Sequence, residues 1–361
     1  MKAMLRILTV CSLLFAAVAA NATIRYVSPN PGSAPYLTIN AAYSAAITGD
    51  TIVLGPGSYS ESMGSTTKRI HFIGSGWDVC TWTGYIQVYN PQTTGTVFEG
   101  IRLNSSGSHG FNLLSNTDST TIRRCLINAQ AGFIPLYLQA GKVFVNDCVL
   151  NAVSNHCVYD QTSATGNVVF RNTVFNMTTP ANGYFAISGP NGATIEIYNS
   201  VFLNFVSAFN VTGVPQVIGL NNIFWDWNAT ATYGTLPVGS VFEYTAAGNG
   251  APAFPASFTN NITLGANNPF VTYDNTFYTY PTSNLHLNAG TGGLLCTDSG
   301  YPSILDLDNS PSDLGIYGGP KPMVDHGIAA FPFALTLTID NLVEVGDSVN
   351  VVSSGRIGPR Y

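Results

Sequence analysis

The chain has 361 residues, a formal net charge of −6 and 9% charged residues, against about 25% in an average soluble protein. Hydrophobic residues at 45% and a mean hydropathy of +0.19 exclude a disordered chain, which needs low hydrophobicity and high charge. So slight a charge gives nucleic acid no electrostatic footprint, and a surface of Asn, Thr, Ser and Gly suits an extracellular β-protein meeting neutral or sugar-like partners.

Residues 1–22 read as a secretory signal peptide: Lys2 and Arg6, an apolar run over 7–20, and a small-x-small site ending at Ala22. The mature chain is therefore expected to be exported, secreted or held at the cell surface. No other segment reaches the ~18 continuous apolar residues of a membrane span. Without Cys11, five cysteines remain: Cys80, Cys125, Cys148, Cys157 and Cys296. The odd number argues against a complete disulfide framework, and no spacing suggests zinc.

A short strand near Tyr26 leads into a turn-rich loop, and Leu37–Ala46 then carries Ile39, Ala42, Tyr43 and Ala46 at helical spacing. Gly49 is expected to stop this helix, residues 50–54 form a strand, and 55–59 turn out of it. From 122 to 226 one pattern occurs five times: TIRRCLIN (121–128), FVNDCVLN (144–151), VFRNTVFN (169–176), EIYNSVFLN (196–204) and IGLNNIFWD (218–226). Its reference residues Cys125, Cys148, Thr173, Ser200 and Asn222 are spaced 23, 25, 27 and 22 apart. A repeat of this period predicts a solenoid, with the N-terminal helix covering its open end.

Stacking the repeats gives two apolar columns, Ile122/Val145/Phe170/Ile197 and Leu126/Val149/Val174/Val201/Ile223, both read as inside. Arg124, Asp147, Asn172, Asn199 and Asn221 form the column before the reference. That column reads as a tight bend with an asparagine ladder, each amide bonded to its counterparts above and below. Cys125 and Cys148 share a column, as a disulfide between adjacent strands or as small apolar residues in a stack. Between 228 and 268 the pattern dissolves into expected long loops, with irregular coils as the alternative. Residues 270–281 suggest an edge strand, and 335–339 with 343–352 suggest two strands, either beginning a sandwich or packing on the last coil.

GDTIVLGPGSY (49–59) after a helix, the repeats, NLHL (284–287) and DLDNSPSDLGIYGGP (306–320) together resemble secreted bacterial proteins of the pectin-lyase-like superfamily. Asn309 departs from the glycine usual in that closing segment. The resemblance implies an all-β fold: a right-handed parallel β-helix over 23–322, eight to ten coils long. A capping helix precedes it, and a short C-terminal β tail follows over 323–361.

The superfamily includes polysaccharide lyases and hydrolases, so acids are the first residues to test. Glu99, Arg124 and Asp147 are read as one charge-alternating column, and Arg102, Arg123 and Arg171 as arginines without clustered acids beside them. Asp118, Asp147, Asp160 and Asp226 fall at unrelated offsets, unlike the paired carboxylates of glycoside hydrolysis. His109 and His156 sit in loops, and His156 with Cys157 reads as a chance neighbour pair rather than a nucleophile couple. Asp306, Asp308 and Asp313 are candidate ligands of a structural Ca²⁺, with turn capping as the alternative. Trp225 and Trp227, two apart in a strand, are a candidate platform for sugar rings, with core closure as the alternative. No catalytic residue and no other cofactor stands out. Two functions follow: a non-catalytic surface, adhesive or glycan-binding solenoid, or a polysaccharide lyase or glycoside hydrolase acting on an acidic, pectin-like polysaccharide.

Overall fold

Each repeat folds as one coil of three short strands, because three brief β-rich runs are separated by residues that favour turns. The computed structural model describes residues 22–361 except 90, 115, 116, 140, 162–165, 191, 214, 215, 228–231, 277, 279 and 340–347. All but the last residue of the expected signal peptide lies outside the described residues. Successive coils pair in parallel, building three walls. Wall A has eleven strands from Ile24–Val27 to Phe258–Thr259, wall B ten from Gly57–Ser60 to Ile262–Gly265, and wall C eight from Met63–Thr66 to Thr232–Thr235. This is the expected parallel β-helix, wound right-handed as parallel crossovers are. No helix among the described residues is long and apolar enough to cross a membrane.

The first apolar column holds. Ile122 pairs with Val145, Val145 with Phe170 and Phe170 with Ile197, all fully buried in the lumen. The lumen side of wall B is instead Ile127, Leu150, Phe175, Phe202 and Phe224, one residue beyond the second column. Its phenyl rings stack, Phe175 on Phe202 at 4.6 Å and Phe202 on Phe224 at 4.3 Å. Leu126, Val149, Val174, Val201 and Ile223 keep their register but face outward, and they are buried under chain from 264 to 323 in a second core. Successive residues of a strand point to opposite faces. Both faces of wall B are therefore apolar, which alternation alone cannot separate into lumen and exterior.

From the third such corner on, the chain turns from wall A to wall B through a left-handed residue: Gly100 at φ 71, Arg124 at 53, Asp147 at 59, Asn172 and Asn199 at 47, Asn221 at 60, Tyr244 at 51 and Asn260 at 54. Asn and Asp tolerate this region better than other L-residues, which explains the asparagine column. The reference residue that follows ties the corner: Sγ of Cys125 and Cys148, Oγ1 of Thr173 and Oγ of Ser200 each donate to the carbonyl two residues earlier. Cys125 and Cys148 are free, buried thiols in this stack rather than a disulfide.

The expected ladder within the corner column is replaced by outward bonds. Asn172 Nδ2 donates to the carbonyls of Ile316 and Gly318 at 2.8 Å, and Asn199 Nδ2 to Ser312 Oγ and the Asp313 carbonyl. Of the three asparagines of the column, Asn221 alone donates to a neighbour, Asn199 Oδ1, at 3.4 Å. A ladder of that kind runs instead along wall B, where Asn128 donates to Asn104, Asn151 to Asn128 and Asn176 to Asn151 at 2.8–2.9 Å.

The helix α1 (Ile39–Ala45) buries Ile39 and Ala42 on the first coils, as the spacing predicts. Thr38 caps it, and the Glu61 carboxylate accepts from the amides of Ile39 at 2.6 Å and Asn40 at 2.8 Å, where a negative charge meets the helix N-terminus. The helix ends at Ala46, ahead of Gly49. Past 228 the coils persist with strands at Thr232–Thr235, Val241–Glu243, Ala246–Gly248, Phe258–Thr259 and Ile262–Gly265. The long loops expected there give way to coils whose small residues hide the pattern. Gly248, for example, leaves no room for a Cβ because the buried Trp225 of the preceding coil and Leu264 of the following one fill that space.

Phe270–Thr272 pairs antiparallel with Asn284–Leu287. The tail hairpin joins Phe333–Ile339 to Val351–Arg356, so the second strand starts later than expected; residues 343–347 lie outside the described residues. This tail packs on the first coils rather than the last. Ala329 and Phe333 cover Val53 and Ile73, and Arg356 binds the Ser75 carbonyl and the Asp78 carboxylate.

Candidate functional site

Chain from 264 onward covers the outer side of wall B and its corner with wall A, whereas the outer side of wall C stays partly open, half-buried at Gln87, Tyr137, Tyr159 and Asn210 and buried at Asn112 and Ser188. Its strands place one column outward: Gln87, Asn112, Tyr137, Tyr159, Ser188 and Asn210, paired in that order across six coils. None of these is charged. Tyr137 and Tyr159 are half-buried, as are His109, His156 and Phe185 in the loops that enter the wall.

These five side chains form one ladder of rings. His109 lies on Tyr137 at 5.0 Å between centroids, Tyr137 on Tyr159 at 5.8 Å, Tyr159 on His156 at 5.6 Å and His156 on Phe185 at 5.5 Å. The spacing is near the ~4.8 Å rise between strands, and four successive coils supply the five rings, His156 and Tyr159 coming from the same coil. Tyr137 donates its hydroxyl to Gln161 Oε1 at 2.5 Å, and Gln139 Nε2 reaches both. The row thus alternates apolar ring edges with amide and phenol groups.

Both histidines are fixed in one form. His109 Nδ1 accepts from the amide of Ile134 at 3.1 Å, and His156 Nδ1 from that of Phe185 at 3.2 Å, leaving the ring proton on Nε2. Burial lowers the His109 pKa and holds His156 down to about 4, so both stay neutral hydrogen-bond donors at neutral pH. Cys157 turns into the lumen, bonding the carbonyls of Leu150 and Asn176, and burial pushes its thiol up rather than activating it. His156 and Cys157 therefore do not act as a couple. The sequence carried a signal for the ladder that its reading missed: both histidines stand two residues ahead of a wall C strand, at Phe111 and Val158.

Trp225 and Trp227 do not form the expected platform. Asp226 between them has φ 61, which turns the chain and breaks the alternation that would align their indoles. Trp225, 4% exposed, packs outside wall B against Phe270; Trp227, 8% exposed, stacks on Phe224 within the lumen at 5.7 Å. Neither offers a ring face to a sugar.

Asp306, Asp308 and Asp313 spend their oxygens on the protein. Asp306 accepts from the amides of Gly319 and Asp313, Asp308 from the amide and hydroxyl of Ser310, and Asp313 from the amide of Asp298. Among the described residues no three His, Cys, Asp or Glu side chains are grouped to hold a metal ion. These bonds follow the turn-capping alternative; the oxygens are not gathered around one point.

The charged column is shifted by one residue from its reading. Glu99 pairs in register with Arg123, and Arg124 occupies the corner above Gly100. Arg123 binds Glu99 Oε2 at 2.6 Å and His71 meets the same oxygen at 3.3 Å. Burial works against this carboxylate, but the His71 bond and the Arg123 charge hold its pKa down to about 2. Asp147 accepts from the amide of Val324 at 2.9 Å and stands 3.5 Å from Arg124. Its burial outweighs both, pushing its pKa up to about 8, with the charges of Asp325 and Glu99 adding to the rise; Arg124 also meets Glu99 and the carbonyls of Ile328 and Pro359. These side chains clamp the tail to the wall. Arg171 lies further along the corner, stacked over the Tyr198 ring at 5.1 Å, whereas Arg102 belongs to wall B.

No known family's sequence profile matches the chain, and no curated protein matches it in sequence. Solved structures do match in shape. The pectate lyase Pel9A superposes with a TM-score of 0.52 at 15% identity, covering 81% of this chain and 95% of its own. Pectin methylesterase PemA from Erwinia chrysanthemi gives a TM-score of 0.43 at 12% identity, covering 71% and 92%. A pectin methylesterase in complex with a hexasaccharide gives 0.44 at 12% identity, covering 72% and 93%. The fold of this chain is the pectin-lyase-like parallel β-helix.

Proposed function

We propose that the protein is a non-catalytic glycan-binding solenoid that holds a neutral polysaccharide along the outer face of wall C. The observation that carries this reading is the ladder from His109 through Tyr137, Tyr159 and His156 to Phe185, edged by Gln139 and Gln161. A pyranose presents C–H patches and hydroxyls in alternation, and the ladder offers ring edges and hydrogen-bonding groups in the same alternation. The face is uncharged, so it favours neutral over acidic sugars. Glycoside hydrolysis needs two carboxyl groups facing one bond, and the outward column from Gln87 to Asn210 contains none.

The test is retention of residues 23–361 on a panel of immobilised neutral and acidic polysaccharides, beside the double variant Tyr137→Ala/Tyr159→Ala. Removing both rings is expected to weaken retention on a neutral glycan roughly tenfold, at ~0.5–1.5 kcal/mol per aromatic contact. Equal retention of parent and variant would refute the face. Release of unsaturated products from pectate by the parent would instead place the protein among the lyases.

A further inference from the structure

The outer face of wall A is apolar along its middle. One outward row runs in register from Val97 through Thr121, Phe144, Val169, Glu196 and Ile218 to Val241. Val97, Phe144, Val169, Ile218 and Val241 make five of its seven positions apolar, where alternation in a sheet with one wet face would place polar residues. Val169 is buried and the other four are half-buried or exposed. Among the described residues none of the five joins the lumen core, the second core or the cluster under the tail. That last cluster meets wall A at Val53 and Ile73, on strands ahead of Val97–Glu99.

The charges beside this row are ordered. Lys142 and Arg171 stand on Lys142–Asn146 and Asn167–Arg171, whereas Glu196 and Glu243 stand on Thr194–Tyr198 and Val241–Glu243. All four alternate with lumen residues and so point outward, and among the described residues none has an ion-pair partner. Nearer the tail, Arg123 and Glu99 cancel each other. The sign therefore changes between Asn167–Arg171 and Thr194–Tyr198, two strands paired in the wall. Eight strands, from Val97–Glu99 to Phe258–Thr259, lie beyond the tail cluster, and that boundary divides them four and four. A face that changes sign at its own midpoint is complementary to a second copy of itself turned about a two-fold axis there.

We infer that wall A docks a second copy of this chain, face to face and antiparallel, about a two-fold axis that runs along the strands at this boundary. Arg171 of each copy then approaches Glu196 of the other, and Phe144 of each lies over Ile218 of the other. The strands under the tail cluster fall past the end of the second copy's wall, so the tail does not obstruct the contact. Strands ~4.8 Å apart, two to five residues long at ~3.3 Å each, give roughly 500 Å² per copy and about 1,000 Å² for the pair, the lower end for a specific interface. The pair is therefore one that forms and dissociates with concentration. It uses a different wall from the glycan face and does not depend on that reading.

Sedimentation equilibrium of residues 23–361 over about 1–200 µM tests this, a range suited to so small an interface. The average mass is expected to rise from one copy to two and to stop there. Arg171→Glu and Glu196→Arg each set like charges against each other twice across the axis, and each alone should weaken association at least about tenfold. An equimolar mixture of the two variants should return to within about threefold of the parent, because each chain then meets the opposite sign at both contacts. Recovery arises only from folded chains, so it separates loss of the interface from loss of the fold. Arg69→Glu, an exposed charge ahead of the overlapping strands, should change association less than about twofold. A single copy throughout the range, association running on past two copies, single variants that associate like the parent, or a mixture no tighter than either variant alone would each overturn the inference.

Discussion

Asn151 and Tyr278 stand 127 residues apart and bond each other twice: Asn151 Nδ2 donates to the Tyr278 carbonyl, and the Tyr278 amide donates to Asn151 Oδ1, both at 3.1 Å. One side-chain amide thus stands in for a strand partner and holds the returning chain to wall B. The same amide also gives to Asn128 and takes from Asn176. Asn151→Leu strands at least two buried backbone groups at about 1–3 kcal/mol each, for an expected loss of about 3 kcal/mol or more. Urea unfolding measures it; an unchanged midpoint would show that the ladder does not hold this segment.

Asp147 makes tail docking sensitive to pH. Its carboxyl has an ordinary value of 3.8 and is raised to about 8 by burial. A raised acid contributes stability that is fully present below 3.8 and lost as pH rises through 8, because the folded state binds the extra proton. Glu99 runs the other way, from 4.5 to about 2, and its contribution is lost only as pH falls through that lower value. Asp147→Asn keeps an acceptor for Val324 and removes the titration. Its thermal midpoint should gain on the parent's steadily between about pH 4 and about pH 8 and level off above that. A constant difference across that range would locate the proton elsewhere.

The five cysteines of the described chain are free and buried, and burial raises the thiol pKa of Cys80, Cys148, Cys157 and Cys296. The thiolate is the reactive form, so an aromatic disulfide reagent should label none of them in the folded protein and all five in denaturant. A mass corresponding to a Cys125–Cys148 bridge after denaturation under non-reducing conditions would contradict the stacked-thiol column.

The lumen ladder and the corner were legible in the sequence because each is a local property repeated at a fixed period. Ile122, Val145, Phe170 and Ile197 keep one offset, and the Asn172, Asn199 and Asn221 positions need a residue that accepts φ near 50. What those asparagines bind was not legible, since Ile316, Gly318 and Ser312 lie more than 100 residues further on. The same distance hid the second core: Leu126 and Val149 look like lumen residues until chain from 264 to 323 covers them. Trp225 and Trp227 misled through a single left-handed residue between them, which alternation cannot foresee. The ring ladder of wall C went unread because His109 and His156 were weighed singly rather than by their place before a strand.

The tail lies on the earliest coils: Arg356 grips Asp78 across 278 positions, and Arg124 holds the Pro359 carbonyl across 235. Coils form from contacts some 25 residues apart and stack as soon as they are made, yet the corner they share stays open until the final stretch arrives. The tail contacts are thus those of greatest sequence separation, and closing so long a loop adds an entropic cost to that of winding the coils. A chain leaving its site of synthesis N-terminus first carries an unlocked apolar flank of Leu126, Val149 and Val174 throughout that interval, and this flank is where self-association would begin.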